Sequence, residues 1–142
     1  MIASVNLKWT GGMSFDGEVD GFKVPLDTDV DFGGGNSAPR PKKLLLLALA
    51  GCTAMDVVSL LRKMRVEVDD FVVDVDAGQT EEEHPHVYKW FKIIYKFKGK
   101  DLNNQMDKLK KAIDLSMTKY CGVSAMLAKV GPVSYDIKVS DN

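Results

Sequence analysis

The chain begins with alternating apolar and polar positions. Val5, Leu7 and Trp9 alternate with Asn6, Lys8 and Thr10, which is the two-residue period of a half-buried β-strand. Short apolar segments at 15–19 and 22–26 predict two further strands, and the Asp-Gly pair between them is typical of a hairpin turn. We therefore expect three short strands in this part of the chain.

A glycine- and proline-rich segment follows these strands. Residues 29–39 contain three consecutive glycines and predict a loop with no regular element. A glycine-rich loop before a helix invites comparison with phosphate-binding loops. The segment GGGNSAPRPKK nevertheless lacks both the GxxxxGK[ST] pattern and the strand–turn–helix order of GxGxxG. A flexible loop without a phosphate site is the favoured interpretation.

The strongest helix prediction covers Leu44–Met64. Pro41 suits a first helical turn, and the segment has almost no polar interruption before Asp56. A helix that is apolar all round is usually buried on most sides, so we expect a central helix with Cys52 at its middle. The apolar run Leu44–Met55 is about a dozen residues long, short of the roughly 20 that cross a bilayer.

The second half of the chain predicts a hairpin, a helix and a closing strand. Residues 71–76 alternate and 87–97 are rich in β-branched and aromatic side chains, which favours an antiparallel hairpin. Apolar residues at helical spacing predict a second helix over 102–117, and residues 133–137 alternate again. The order βββ-α-ββ-α-β predicts an α+β fold with a largely antiparallel sheet, in a single domain over residues 1–142.

Composition narrows the class of protein. The 142 residues are 45% hydrophobic and 27% charged, as in an ordinary globular domain. A net charge of −1 gives no reason to expect nucleic acid or an anionic membrane as a partner. The N-terminal sequence MIASVNLKWTGG has no charged region followed by an apolar run, so the cytoplasm is the expected location.

The two cysteines are the first candidates for chemistry. Cys52 and Cys121 are 69 positions apart, and they could form a redox couple, half of a metal site or two inert core thiols. A cysteine in an apolar helix needs a nearby cation or hydrogen-bond donor to become a thiolate. Arg40, Lys42 and Lys43 are the nearest cations before Cys52. Cys121 lies near a predicted turn, a suitable place for a thiol that condenses with a sulfenic acid.

The histidines open two other interpretations. His84 and His86 together with the two cysteines would match the ligand count of tetrahedral zinc, although the cysteines are not in a CxxC motif. A hydrolytic set could combine Cys52, one histidine and Asp56, but nothing in the sequence orders these residues. We favour a solvated loop for both histidines, beside the acidic residues 81–83.

Several segments resemble the OsmC/Ohr family. Its first-cysteine helix is similar to residues 38–64, APRPKKLLLLALAGCTAMDVVSLLRKM, and its second-cysteine segment is similar to residues 119–127, KYCGVSAML. The N-terminal LKWTGGMSF and the EEHP turn also fit. The resemblance runs in order over nearly the whole chain, and it is greater to the small OsmC-like branch than to the best-studied Ohr and OsmC branches.

This resemblance implies an OsmC-like fold and an intertwined homodimer, whose central helices pack together and whose two active sites form at the subunit interface. It also implies that Cys52 attacks an organic or fatty-acid hydroperoxide and that Cys121 resolves the product. An external dithiol would then be the reductant, and no metal or organic cofactor is expected.

The chain departs from the Ohr-type pattern at two places. An arginine follows the first-strand glycines in Ohr-type members, and Met13 follows them here. A glutamate opens their first-cysteine helix, where this chain has Lys42 and Lys43. We expect Arg40, or one of these lysines, to supply the cation that activates Cys52. The alternative is a non-enzymatic OsmC-like protein that binds a small apolar ligand or senses redox state.

Overall fold

A computed structural model of the chain describes residues 1–141 and contains two compact units, Met1–Leu45 and Leu46–Asn142. The first unit is a three-stranded antiparallel sheet in the order β1-β2-β3. Its strands are β1 (Asn6–Gly11), β2 (Ser14–Val19) and β3 (Phe22–Leu26). The three strands predicted from the alternation are therefore confirmed.

Two details of the first unit differ from the predictions. Residues of β1 are exposed throughout, with Trp9 at 64%, because this unit contributes one short helix and little apolar surface to cover its sheet. That helix, a 3-10 turn at Val30–Phe32, lies within the segment predicted to have no regular element. It forms because the Asp29 carbonyl accepts hydrogen bonds from two later N–H groups, and Gly33 ends it with a left-handed φ of 85°.

The described residues of the second unit combine three α-helices with a second three-stranded sheet. Its elements are α1 (Leu44–Lys63), β4 (Asp70–Gln79), β5 (Tyr88–Lys98), α2 (Met106–Leu115), α3 (Gly122–Leu127) and β6 (Val133–Ser140). The first two residues of α1 belong to the first unit, which ends at Leu45. Strands β4 and β5 form the predicted antiparallel hairpin. Strand β6 pairs parallel to β5, since the intervening helices carry the chain back to the other end of the sheet. The α+β class is confirmed.

The core of the second unit lies between the sheet and the helices. Alternate residues of β5 are fully or almost fully buried, and so are apolar positions of α1 and α2; these are Phe91, Ile93, Tyr95, Phe97, Leu49, Val57, Leu61, Leu109 and Ile113. The stripe of α1 that enters this core is spaced four residues apart, as one face of a helix requires.

Burial of α1 on most sides was expected, and within a single chain this prediction is wrong. Only the stripe Leu49, Thr53, Val57 and Leu61 is buried, whereas Leu47 and Met55 on the opposite face are 66% and 76% exposed. The apolar sequence extends around the whole helix, but the chain's own core covers one face of it. An apolar surface therefore runs along the outer side of α1.

The helix predicted over Leu44–Met64 is confirmed by α1, which ends one residue earlier at Lys63. The helix has 20 residues with a mean hydropathy of 2.2, so its length and composition alone would allow it to cross a membrane. Core helices of soluble proteins share these properties, and α1 places one face in the core of the second unit.

Candidate active site

The two cysteines come together in the second unit. Cys52 lies at the middle of α1, and Cys121 directly precedes α3. Their sulfur atoms and a carboxylate oxygen of Asp56 all lie within 4.8 Å of one another. Both cysteines are free thiols; Cys52 is partly exposed, whereas Cys121 is only 3% exposed. A small molecule arriving from solvent would therefore meet Cys52 first.

A short π-helix, Ser116–Tyr120, positions Cys121. It continues directly from α2 and ends at Cys121, whose N–H donates to the Ser116 carbonyl at 2.7 Å. The Ser124 N–H donates to the Cys121 sulfur at 3.4 Å, and the Ser124 hydroxyl donates to the Cys121 carbonyl at 3.1 Å. Single π-helical turns are often found at functional sites, and this one turns the Cys121 thiol toward α1.

The Cys121 thiol is in an environment that favours its neutral form. Burial raises the pKa of this thiol above its ordinary value, and the adjacent Cys52 sulfur raises it further, while the hydrogen bonds from Ser124 oppose both effects. A protonated thiol is a poor nucleophile. This chemistry suits a second thiol that reacts only after its neighbour has been oxidised.

A chain of buried hydroxyl groups leads to Asp56. The Thr53 hydroxyl lies 2.7 Å from the Tyr95 hydroxyl and 2.8 Å from the Ser116 hydroxyl. The Ser116 hydroxyl donates to Asp56 Oδ2 at 2.9 Å. Each hydroxyl has one proton to donate, so a fully formed chain runs from Tyr95 through Thr53 and Ser116 to the carboxylate. The chain holds Asp56 beside the two sulfur atoms.

Tyr95 anchors the buried end of this chain as a neutral phenol. Burial raises the pKa of Tyr95 to about 12, and the hydrogen bond with Thr53 opposes this shift. Its hydroxyl also lies 3.6 Å from the Met117 sulfur. Tyr95 is therefore a hydrogen-bond donor at neutral pH, and it does not supply a charge to the site.

The other residues singled out in the sequence are not all part of this cluster. Within residues 1–141, Cys52, Asp56 and Cys121 are the only group of three or more potential metal ligands, so neither histidine joins the cysteines. The rings of His84 and His86 contact each other instead, and His86 Nδ1 donates to the Thr80 carbonyl. The Cys2His2 zinc set and the Cys–His–Asp set are therefore not assembled.

Arg40 lies in the first unit, where its guanidinium group forms an ion pair with Asp29. The expectation that it activates Cys52 stays a prediction.

Thr53, Tyr95 and Ser116 were not identified from the sequence. One signal was available: Thr53 and Asp56 are the first two polar side chains of α1 after Cys52, at one and four positions from it. A polar residue in an apolar segment indicates a buried partner. The partners Tyr95 and Ser116 lie 42 and 63 positions further along the chain, and no spacing rule identifies them.

One cleft of the second unit lies apart from the cysteine pair. A cleft of about 600 Å³ is lined by residues between Val58 and Phe71, including Leu61 and Arg62, and by neither cysteine. Hydrogen bonds and the position of the thiols, rather than cavity size, therefore mark the candidate site.

Comparison with known proteins decides the family. The family model described as OsmC-like protein matches residues 34–136, a segment that includes both cysteines and covers well over half of the chain. The chain belongs to the OsmC-like family. Protein YhfA of Escherichia coli (strain K12) is 34% identical to this OsmC-like chain over 134 residues, which cover 94% of the chain and 95% of YhfA.

Solved structures show the same OsmC-like fold. A hypothetical protein from Aquifex aeolicus VF5 is 25% identical and superposes with a TM-score of 0.77, covering 99% of this chain and 98% of that one. The organic hydroperoxide resistance protein OsmC from Legionella pneumophila is 18% identical, with a TM-score of 0.63 and coverage of 97% and 98%. At that identity the likeness shows the fold alone.

Proposed function

We propose that this protein is a thiol-dependent peroxidase that reduces organic hydroperoxides. The observation that carries the proposal is the meeting of two sulfur atoms, 69 positions apart in sequence, within 4.8 Å of each other. Two thiols at that separation need only small side-chain movements to form a disulfide. Cysteines that only fill space in a core need neither a second thiol nearby nor contact with solvent, whereas this pair has both.

The proposed reaction assigns a different role to each cysteine. The Cys52 thiolate attacks the outer oxygen of the hydroperoxide ROOH, the O–O bond breaks, and the products are a Cys52 sulfenic acid and the alcohol ROH after protonation. The Cys121 thiol then attacks the sulfenic sulfur and releases water, leaving a disulfide. An external dithiol returns the disulfide to two thiols. The greater exposure of Cys52 supports its role as the attacking residue.

The substrate class is supported by the family rather than by a cavity. OsmC-like structures from Legionella pneumophila, Elizabethkingia anophelis and Bacillus subtilis are described as organic hydroperoxide resistance proteins. The chain is similar to them in fold, and it retains a cysteine pair. Arg40 remains the proposed source of the activating cation, since Met13, Lys42 and Lys43 occupy the positions of the Ohr-type arginine and glutamate.

We also propose that the protein is a homodimer. The outer face of α1 presents Leu47, Met55 and Val58 to solvent, at 66%, 76% and 38% exposure, and a continuous apolar face is costly in a monomer. A second copy of α1 would cover this face with a surface of the same kind. A homodimer would also place additional residues near the partly exposed Cys52, which belongs to the same helix.

Multiple-turnover consumption of cumene hydroperoxide with dihydrolipoamide tests the peroxidase proposal. We expect the wild type to turn over and Cys52→Ser to fall to the uncatalysed rate, because the attacking sulfur is lost. Cys121→Ser should consume about one equivalent of hydroperoxide and accumulate a sulfenic acid, which a dimedone adduct would reveal by mass spectrometry.

Two results would contradict the proposal. Unchanged turnover in Cys52→Ser would show that Cys52 is not the nucleophile. A wild type that oxidises once and does not cycle with the dithiol, although both thiols were reduced at the start, would favour a redox sensor over an enzyme.

Arg40→Met should lower the rate of Cys52 oxidation at neutral pH, with Arg62→Met as a matched control on the far end of α1.

A further inference from the structure

The cluster of Cys52, Asp56 and Cys121 has the donor atoms of a metal site. Its two sulfur atoms and one carboxylate oxygen lie within 4.8 Å of one another. Around a tetrahedral zinc ion, with bonds of roughly 2.0–2.3 Å, donor atoms are about 3.3–3.8 Å apart. Side-chain rotations that move each donor by about 1 Å would close the present arrangement around one ion.

We propose that these three side chains bind a single thiophilic divalent metal ion, of the Zn²⁺ class. Two thiolates and a carboxylate are poor ligands for Mg²⁺ and Ca²⁺, which prefer oxygen donors, but they suit zinc. Three protein ligands leave one position of a tetrahedral ion for water or a small ligand, as in open zinc sites. This set differs from the Cys2His2 combination considered in the sequence, since it replaces both histidines with Asp56.

Groups outside the cluster orient two of the three ligands. The Ser116 hydroxyl donates to Asp56 Oδ2 at 2.9 Å, and the Ser124 N–H donates to the Cys121 sulfur at 3.4 Å. Hydrogen bonds of this kind fix the direction of metal-binding carboxylates and thiolates and strengthen metal binding. The Ser116 hydroxyl is itself held by Thr53. The ligands are thus arranged before any ion arrives.

Binding involves proton release and no oxidation or reduction. The two thiols lose their protons to solvent as their sulfur atoms bond to the metal, and the ion keeps its +2 charge. A sulfur atom bonded to zinc is withheld from reaction with hydroperoxides. The metal would therefore act as a reversible inhibitor that keeps both thiols reduced, and this consequence for turnover, unlike binding itself, rests on the proposed peroxidase function.

Titration of the reduced, metal-free protein with Co²⁺ under anaerobic conditions tests the site. We expect a thiolate-to-cobalt charge-transfer absorption that saturates at one ion per chain and disappears when Zn²⁺ is added. Asp56→Asn keeps the size of the side chain but removes the anionic ligand, so it should weaken the Co²⁺ affinity by at least about 10-fold. Asp107→Asn on α2 is the matched control and should bind like the wild type.

Cys121→Ser and the labelling rate of Cys52 give further readouts. Cys121→Ser should lose most of the charge-transfer intensity, and saturating Zn²⁺ should slow the maleimide labelling of both wild-type thiols. Absence of the charge-transfer band, or an unchanged affinity in correctly folded Asp56→Asn, would overturn the proposed site. Turnover of the metal-free protein is measured separately. The peroxidase proposal can therefore be contradicted while the metal site is confirmed, and the metal site can be contradicted while the peroxidase is confirmed.

Discussion

Thr53 places a hydroxyl group where the rest of the buried α1 stripe is apolar. It is fully buried, and its oxygen atom lies within hydrogen-bond distance of both Tyr95 and Ser116. A buried hydroxyl is tolerated because both partners compensate for its removal from water. The same group connects the core of the second unit to the Asp56 carboxylate beside the thiols.

Replacing Thr53 with valine should destabilise the protein. Thr53→Val keeps the shape of the side chain but leaves the Tyr95 and Ser116 hydroxyls short of a partner, at an expected cost of about 1–3 kcal/mol in the free energy of unfolding. Urea denaturation monitored by circular dichroism measures the change. Thr53→Ser retains the oxygen and should cost less. A Thr53→Val protein as stable as the wild type would mean that the hydroxyl chain contributes nothing to the free energy of unfolding.

The sequence alone located only part of the candidate site, and individual residues show why. Cys52 and Cys121 were paired through the family resemblance, because a separation of 69 positions carries no geometric information. Asp56 was considered only with a histidine that does not reach it. The pairing of Thr53 with Tyr95 and Ser116 depends on how helices and sheet pack, and local periodicity does not contain that information.

At the scale of elements, the segment after β3 is organised by Asp27. This carboxylate is 2% exposed; Oδ1 accepts from the Thr28 N–H, and Oδ2 accepts from the Gly35 N–H and from the N–H and hydroxyl of Ser37. The hydrogen bonds, foremost that from the Ser37 hydroxyl, lower the pKa of Asp27 from 3.8 to about 2. The glycine-rich segment is therefore tied to the end of β3.

This loop should contribute stability that depends on pH. A carboxyl whose pKa is lower in the folded state stabilises the fold above its unfolded pKa near 3.8, and the contribution is lost as the pH falls toward about 2. We expect the difference in melting temperature between wild type and Asp27→Asn to be largest near pH 6 and to shrink toward pH 2. Asp31→Asn, in the adjacent 3-10 turn, is the matched control for loss of a carboxylate from this segment.

A difference between Asp27→Asn and wild type that stays constant from pH 6 to pH 2 would show that the carboxylate charge is not involved.

Elements were easier to predict than their surroundings. The existence and order of β1–β6, α1 and α2 follow from apolar periodicity, which reflects local geometry. The burial of α1 within one chain was predicted wrongly, because the sequence shows that a helix face is apolar but does not show which surface packs against it. The parallel pairing of β6 with β5 also lay outside the sequence pattern, because strand direction depends on the path of the helices between them.

At the scale of the whole molecule, the outer face of α1 predicts self-association. Met55→Glu places a charge on the exposed apolar face without touching the buried stripe of the helix, so the chain should still fold. We expect this variant to shift the protein from dimer to monomer in sedimentation equilibrium. Met126→Glu on α3 makes the same chemical change at a position with 64% exposure, and it should remain dimeric.

A wild-type protein that sediments as a monomer at micromolar concentration would contradict the dimer. A Met55→Glu protein that remains fully dimeric would instead show that the dimer interface lies on another surface.

The position of the two cysteines along the chain has a mechanical consequence. Between Cys52 and Cys121 lie the whole β4–β5 hairpin and α2, so a bond between the two sulfur atoms would close a covalent ring of about 70 residues around the centre of the second unit. Cross-linking a ring of that size removes chain entropy from the unfolded state worth roughly 4 kcal/mol in the simplest treatment. Oxidation of the pair to a disulfide would thus raise the free energy of unfolding of the second unit, and reduction would lower it again.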